Sequence, residues 1–166
     1  QNTFRAFAGP GIDHPSSAMR VDDDEAAAIL ADLAMVGWSA PAHVGSGGHA
    51  GYAIHHARQE CVTAMFGDDG IVGFYAGSYL WIAREHRGLG LSTPLILAAA
   101  GQRGGRVLPP GVVVQGYTRA GLIAHRKAHH HAVMAATAAG LPVPATVLAG
   151  VKSPCRPGRG LPVPAG

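Results

Sequence analysis

Cysteine is scarce in this chain of 166 residues: Cys61 and Cys155 stand far apart and belong to no pairing motif. A disulfide scaffold is therefore excluded, and a reduced, cytoplasmic setting is the expectation. Charged residues make up only 14% of the chain and apolar residues 48%, the reverse of the balance that keeps a chain disordered. No apolar run reaches the ~18–20 residues that span a bilayer, and no secretory apolar segment opens the chain, so no membrane partner is expected. The sequence opens on Gln1 and not on Met, which leaves targeting open. The stretch Gly45-Ser46-Gly47-Gly48-His49-Ala50-Gly51 lacks the Lys-Ser/Thr pair of a phosphate-binding P-loop and reads as part of a flexible loop over 38–51. A net charge of +3 suits an anionic ligand but is too mild to mark a dedicated nucleic-acid binder.

Glycine and proline are plentiful instead, 24 and 12 residues, gathered toward the two ends and in a few turns. Their distribution places one domain over 1–148. It opens on an irregular segment at 1–21, with at most a short strand near 3–8, and is followed by a Pro/Gly-rich tail at 149–166. Gly-Leu-Pro-Val-Pro-Ala occurs at 140–145 and again at 160–165, an echo that suits an extended polyproline-like chain better than a structural repeat. Asp22-Asp23-Asp24 ahead of an alanine-rich run predict a helix over 25–36 stopped by Gly37, with the acids as its solvated first turn rather than a metal site. Strands are predicted over 52–56, 60–66, 71–75 and 79–83, with turns at 67–70 and 76–78. A basic loop over 101–110, a buried strand over 111–115 and a helix from Thr118 to about 139 follow. The order of helix, strands, strand–turn–helix, strand and helix is that of an α/β (α+β) domain with a mixed sheet.

The residues best suited to chemistry lie between the strand at 79–83 and the apolar helix that begins at Ser92 or Thr93. Arg87 brings a fixed positive charge, and Gly88 and Gly90 let the backbone approach a ligand without a Cβ. Pro94 sits in the first helical turn, where its missing N–H costs nothing. A helix start behind a glycine turn presents free N–H donors and the positive end of a dipole, a seat for phosphate; the plain alternative is a strand-to-helix link.

In that setting Arg87-Gly88-Leu89-Gly90-Leu91-Ser92 resembles the acyl-CoA motif Gln/Arg-x-x-Gly-x-Gly/Ala of the GCN5-related N-acetyltransferase (GNAT) superfamily. Arg87 takes the first position and Gly90 the second, while Ser92 replaces the last small residue. A second block is similar: after the strand at 112–115, Thr118-x-x-Gly121-x-x-x-His125-x-Lys127 follows the family's Asn-x-x-Ala-x-x-x-Tyr-x-Lys spacing. There His125 stands in place of a Tyr, and His129-His130 in place of Gly-Phe. The resemblance covers roughly 60–131.

It implies a GNAT-like mixed, mostly antiparallel central sheet flanked by helices, with a splayed strand pair at the cofactor cleft. Acetyl-CoA, or another acyl-CoA, would be the cosubstrate of an N-acyltransferase. Ile82 would pair with the pantetheine arm, and Arg87, Gly88, Leu89, Gly90, Leu91 and Ser92 would receive the pyrophosphate. A small-molecule or protein amine would attack the thioester directly. His125 is the candidate acid for the leaving thiolate and Glu85 the candidate base, directly or through water. The resemblance also leaves room for a homodimer.

Two other readings share that fold. One is a non-catalytic binding or assembly protein, since no Tyr stands at position 125. The other is a GNAT-related nucleic-acid-modifying enzyme, whose patch of Arg103, Arg106, Arg119, Arg126 and Lys127 would otherwise meet the 3′-phosphate of CoA. His125 and His129 lie one helical turn apart but lack a third ligand, so no metal is expected. Tyr75, Tyr79, His55 and His56 are lesser candidates on the sheet.

Overall fold

The computed structural model describes residues 21–59, 61–77, 79–102 and 119–143. Helix α1 (Asp23–Leu33) starts at a reciprocal cap: the Asp22 carboxylate accepts from the Glu25 N–H at 2.8 Å, and the Glu25 carboxylate accepts from the Asp22 N–H at 3.2 Å. That capping box satisfies two donors that would otherwise be orphaned at the helix start. The helix ends at Leu33, short of the predicted 36. Met35 has turned away from the sheet and is 89% exposed, so Gly37 follows the stop rather than making it.

Five strands follow in chain order: β1 (Trp38–Val44), β2 (Ala53–Ala57), β3 (Val62–Gly67), β4 (Gly70–Ala76) and β5 (Tyr79–Ile82). They form an antiparallel meander in which each strand pairs with the next. β1 corrects the expectation of a flexible loop over 38–51. It is an edge of the described sheet, so Pro41 can lack its N–H without breaking a ladder between described strands, and its outer half is exposed and shows no alternation. The pairing with β2 slips on both sides of Pro41. β4 and β5 are both complete strands, and Gly77 leaves β4 at φ +60°.

Helices α2 (Ser92–Gln102) and α3 (Arg119–Ala138) complete the described elements, close to their predicted limits. The architecture is thus α+β, a five-stranded antiparallel sheet with three helices among the described residues. The loop expected over 101–110 is corrected at its start, where Gly101 and Gln102 are the last residues of α2; its remainder, the expected strands near 3–8 and over 111–115 and the tail over 149–166 lie outside the described residues.

The sheet buries both faces. Ala26 and Leu33 of α1 meet Ala57, Val62, Ala64 and Phe74 on one side. Leu91, Leu95, Ile96, Ala99 and Ala128 meet Ile54, Met65 and Tyr75 on the other. A bulge on β4 arranges this division: Met65 pairs with Gly73 and Phe66 with Ile71, so Val72 is the extra residue and joins the α2 side. Gly73 has no room for a side chain, since a Cβ there would lie 2.7 Å from Ile82 Cδ1 and 3.0 Å from the Trp81 carbonyl. The bare backbone of β4 lets Ile82 lie across it, next to the turn that matters most.

Candidate functional site

β5 is the edge of the described sheet, and its register decides which of its backbone groups face outward. The Ala83 N–H donates to the Val72 carbonyl at 2.7 Å, while Ile82 is the partner of Gly73. That makes Ile82–Gly73 the non-hydrogen-bonded type of antiparallel pair, in which each residue's own N–H and C=O point away from the other. Ile82 therefore carries its N–H and C=O on the outer edge.

The chain then passes through a 3-10 turn (Arg84–His86) into the glycine turn, where Gly88 has φ +79° and Gly90 φ +75°. Both angles fall in the left-handed region, where a Cβ is costly, so the glycines are required by the backbone path. The N–H groups of Gly90 and Leu91 find no acceptor among the described residues. The first N–H groups of α2 have no intrahelical carbonyl to meet. Donors therefore collect at the end of the turn, on the positive pole of an 11-residue helix.

Arg87 serves this turn differently from the sequence expectation of a charge aimed at phosphate. Its Nε donates to the Ile82 carbonyl at 2.7 Å and its Nη2 to Asp23 Oδ1 at 3.0 Å. Asp23 also accepts from the Trp81 indole N–H at 3.1 Å and pairs with Arg84 at 3.5 Å. The Trp81 N–H acts most strongly on the Asp23 carboxyl, burial opposes it, and with the Arg87 and Arg84 guanidiniums added the carboxyl is held below the usual carboxylate range. The acidic triplet of α1 thus divides its work: Asp22 caps the helix, and Asp23 ties it to the strand and turn.

A histidine and a tyrosine fasten the turn from outside it. His49, on a 3-10 turn (Gly47–His49), donates through Nε2 to the Leu89 carbonyl at 2.7 Å. Tyr52 meets His86 Nδ1 at 2.7 Å, with the two rings edge to face. Beyond Gly90 opens a cavity of about 760 Å³, between the end of β1, one face of α2, and α3. Its walls include His43, His49, His56, Thr93, Lys127 and His131.

His56 is held through its neighbours. The Thr63 hydroxyl donates to Gln102 Oε1 at 3.3 Å, so it accepts from His56 Nδ1–H at 2.9 Å. Burial lowers the His56 pKa below the ordinary histidine value. The folded chain therefore resists protonation there more than the unfolded chain does. The stability His56 contributes is complete above the ordinary value of about 6.5 and is lost as pH falls through it toward the lowered folded value. Thermal melts from about pH 8 to about pH 5 will show a shallower loss in His56→Gln than in the parent; equal slopes would contradict the assignment.

The candidate acid and base sit apart from one another. His125 is 1% exposed on α3, with Nδ1 donating to the Gly121 carbonyl at 2.6 Å and Nε2 2.6 Å from the Tyr75 hydroxyl of β4. It contacts no residue of the 87–92 turn among those partners. Glu85 is exposed on the 3-10 turn just before Arg87. Ile82 and 87–92 are brought together as one continuous strand edge and turn. His55 Nδ1 donates to the Ser39 carbonyl at 2.8 Å. His129 is buried, and no group of three metal-binding side chains occurs among the described residues.

Of the basic patch, Lys127 lines the cavity, Arg126 is half-buried, Arg119 opens α3, and Arg103 and Arg106 lie outside the described residues. Sequence reasoning missed His43, His49, Thr93 and Asp23 as parts of the site. A histidine inside a glycine-rich loop was the available signal for His49. No helix of the described residues is long and apolar enough to cross a membrane. Comparison with protein-family models, with curated proteins and with solved structures finds no match to the chain.

Proposed function

We propose that this chain is an acyl-CoA-dependent N-acyltransferase of the GNAT type, transferring an acyl group, acetyl in the simplest case, to an amine. The observation that supports it is the run from the outward-facing backbone of Ile82, through two left-handed glycines, to the unpaired N–H groups at the start of α2. An edge strand can pair with the amide groups of a pantetheine arm, and the adjoining helix start can hold its pyrophosphate. In this reading the backbone of 88–92 binds the phosphates, while Arg87 shapes the turn by joining Ile82 to Asp23.

Direct attack needs the amine deprotonated, the thioester carbonyl polarised and the thiolate protonated, with positioning supplying much of the rate. To act as the acid, His125 would have to carry a proton on Nε2 as well as on Nδ1; it would then pass the Nε2 proton through the Tyr75 hydroxyl to the leaving thiolate and return to the neutral ring, while Glu85 would receive the amine proton through water. The burial of His125 favours a second reading, a cofactor-binding protein without chemistry. Release of free thiol from acetyl-CoA with a panel of small amines and basic peptides separates the two. Amine-dependent release supports the transferase. Binding without release supports the second reading, and absence of both overturns the cofactor assignment.

A further inference from the structure

The cavity beside the turn has a composition of its own. Four imidazoles, His43, His49, His56 and His131, share its walls with the Lys127 ammonium, and no acidic residue is among its described lining. The rest of the lining is largely apolar, as in most clefts, and His49 and His56 already commit a ring N–H to the Leu89 carbonyl and the Thr63 hydroxyl, which leaves Lys127, His43 and His131 as the nitrogen donors. Thr93, in the first turn of α2, supplies a second and independent sign. Its side chain lines the cavity and is 8% exposed, yet its Oγ1 has no hydrogen-bond partner. That hydroxyl oxygen is itself shut off from the cavity space, so a ligand oxygen would relieve its desolvation cost only after the Thr93 side chain rotates toward the cavity.

We propose that this cavity binds the phosphate group of a small phosphorylated molecule. The donors come from β1, from α2 and from α3, and so approach from several directions. That suits a tetrahedral group with three acceptor oxygens better than a planar carboxylate. Lys127 and His131 lie one turn apart on the same face of α3 and reach the cavity together. His49 is held to the Leu89 carbonyl and forms the wall toward the turn. His56, whose Nδ1–H donates to Thr63, offers Nε2 as an acceptor for the hydroxyl of a monoprotonated phosphate. The volume of about 760 Å³ holds a nucleotide-sized molecule or a smaller sugar phosphate. The phosphate can belong to the cofactor proposed above, since Gly90 lines both the turn and the cavity, or to a separate metabolite.

The test follows histidine ring resonances of the labelled full-length chain by NMR during titration with inorganic pyrophosphate, and separately with CoA. Saturable shifts at His43, His56 and His131 are expected, weakened about tenfold or more in Lys127→Glu, an exposed position where the fold is not at risk. Competition between CoA and pyrophosphate for those shifts assigns the phosphate to the cofactor. Simultaneous binding, with pyrophosphate at the histidines and CoA at the backbone of 88–92, assigns it to a separate ligand. No saturable shift at these rings with either probe overturns the proposal, as does an affinity unchanged in Lys127→Glu. Shifts confined to the backbone amides of 88–92 overturn it too, and leave the cofactor reading standing.

Discussion

Ser92→Asp is expected to keep the fold, or raise its melting temperature slightly, while lowering affinity for CoA about a hundredfold. Ser92 is the first residue of α2 and half-buried at the end of the glycine turn. A carboxylate there meets the positive end of the helix dipole and the unpaired first-turn N–H groups, which stabilises a helix by about 0.3–1 kcal/mol. The same carboxylate occupies the place proposed for a phosphate and repels it. Like charges brought together in a binding site cost several kcal/mol, and a hundredfold corresponds to about 2.7 kcal/mol. Ser92→Asn, of similar size without the charge, should stay within about tenfold of the parent. Calorimetry on both variants, with melting curves alongside, separates lost binding from lost folding. If the two variants bind CoA equally, the phosphate does not sit at this helix start.

The second large effect concerns stability. His125→Ala is expected to destabilise the chain by about 3 kcal/mol, read as a lower denaturant midpoint at constant slope. The ring is 1% exposed and joins the Gly121 carbonyl of α3 to the Tyr75 hydroxyl of β4. Its loss opens a cavity between helix and sheet and withdraws the ring from two buried polar groups, and each such loss costs about 1–3 kcal/mol. Against the 5–15 kcal/mol that a whole domain of this kind possesses, that is a substantial share. Tyr75→Phe should cost less, about 1–2 kcal/mol, because it removes a hydroxyl and opens no cavity of the size left by His125→Ala. The double variant should fall short of the sum, since the two residues share one hydrogen bond. A full sum would show that they act independently.

Much of the fold was legible because its signals are local. The acidic start and alanine run marked α1, Gly67-Asp68-Asp69-Gly70 marked the β3–β4 turn, and Ser92-Thr93-Pro94 marked the start of α2. β1 escaped because an exposed edge strand has neither alternation nor an apolar run; only its pairing with β2 makes it a strand. The glycine turn was legible as a turn, and its positive φ angles follow from the residue type. The partner of Arg87 was not, because Asp23 lies 64 residues away in sequence and is brought beside it only by the packing of α1 on the sheet. The cavity was hidden for the same reason. Lys127 and Thr93 stood out in sequence for other reasons, as part of a basic patch and as a helix start, and His43 not at all; only the meeting of β1, α2 and α3 places them around one space.

The most direct measurement is calorimetric titration of CoA into the full-length chain at low ionic strength, with Ser92→Asp in parallel. Saturable one-to-one binding by the parent, weakened about a hundredfold in the variant, is the expected result. No binding by a folded parent, or binding that the variant leaves untouched, would contradict the assignment of the 87–92 turn to an acyl-CoA pyrophosphate.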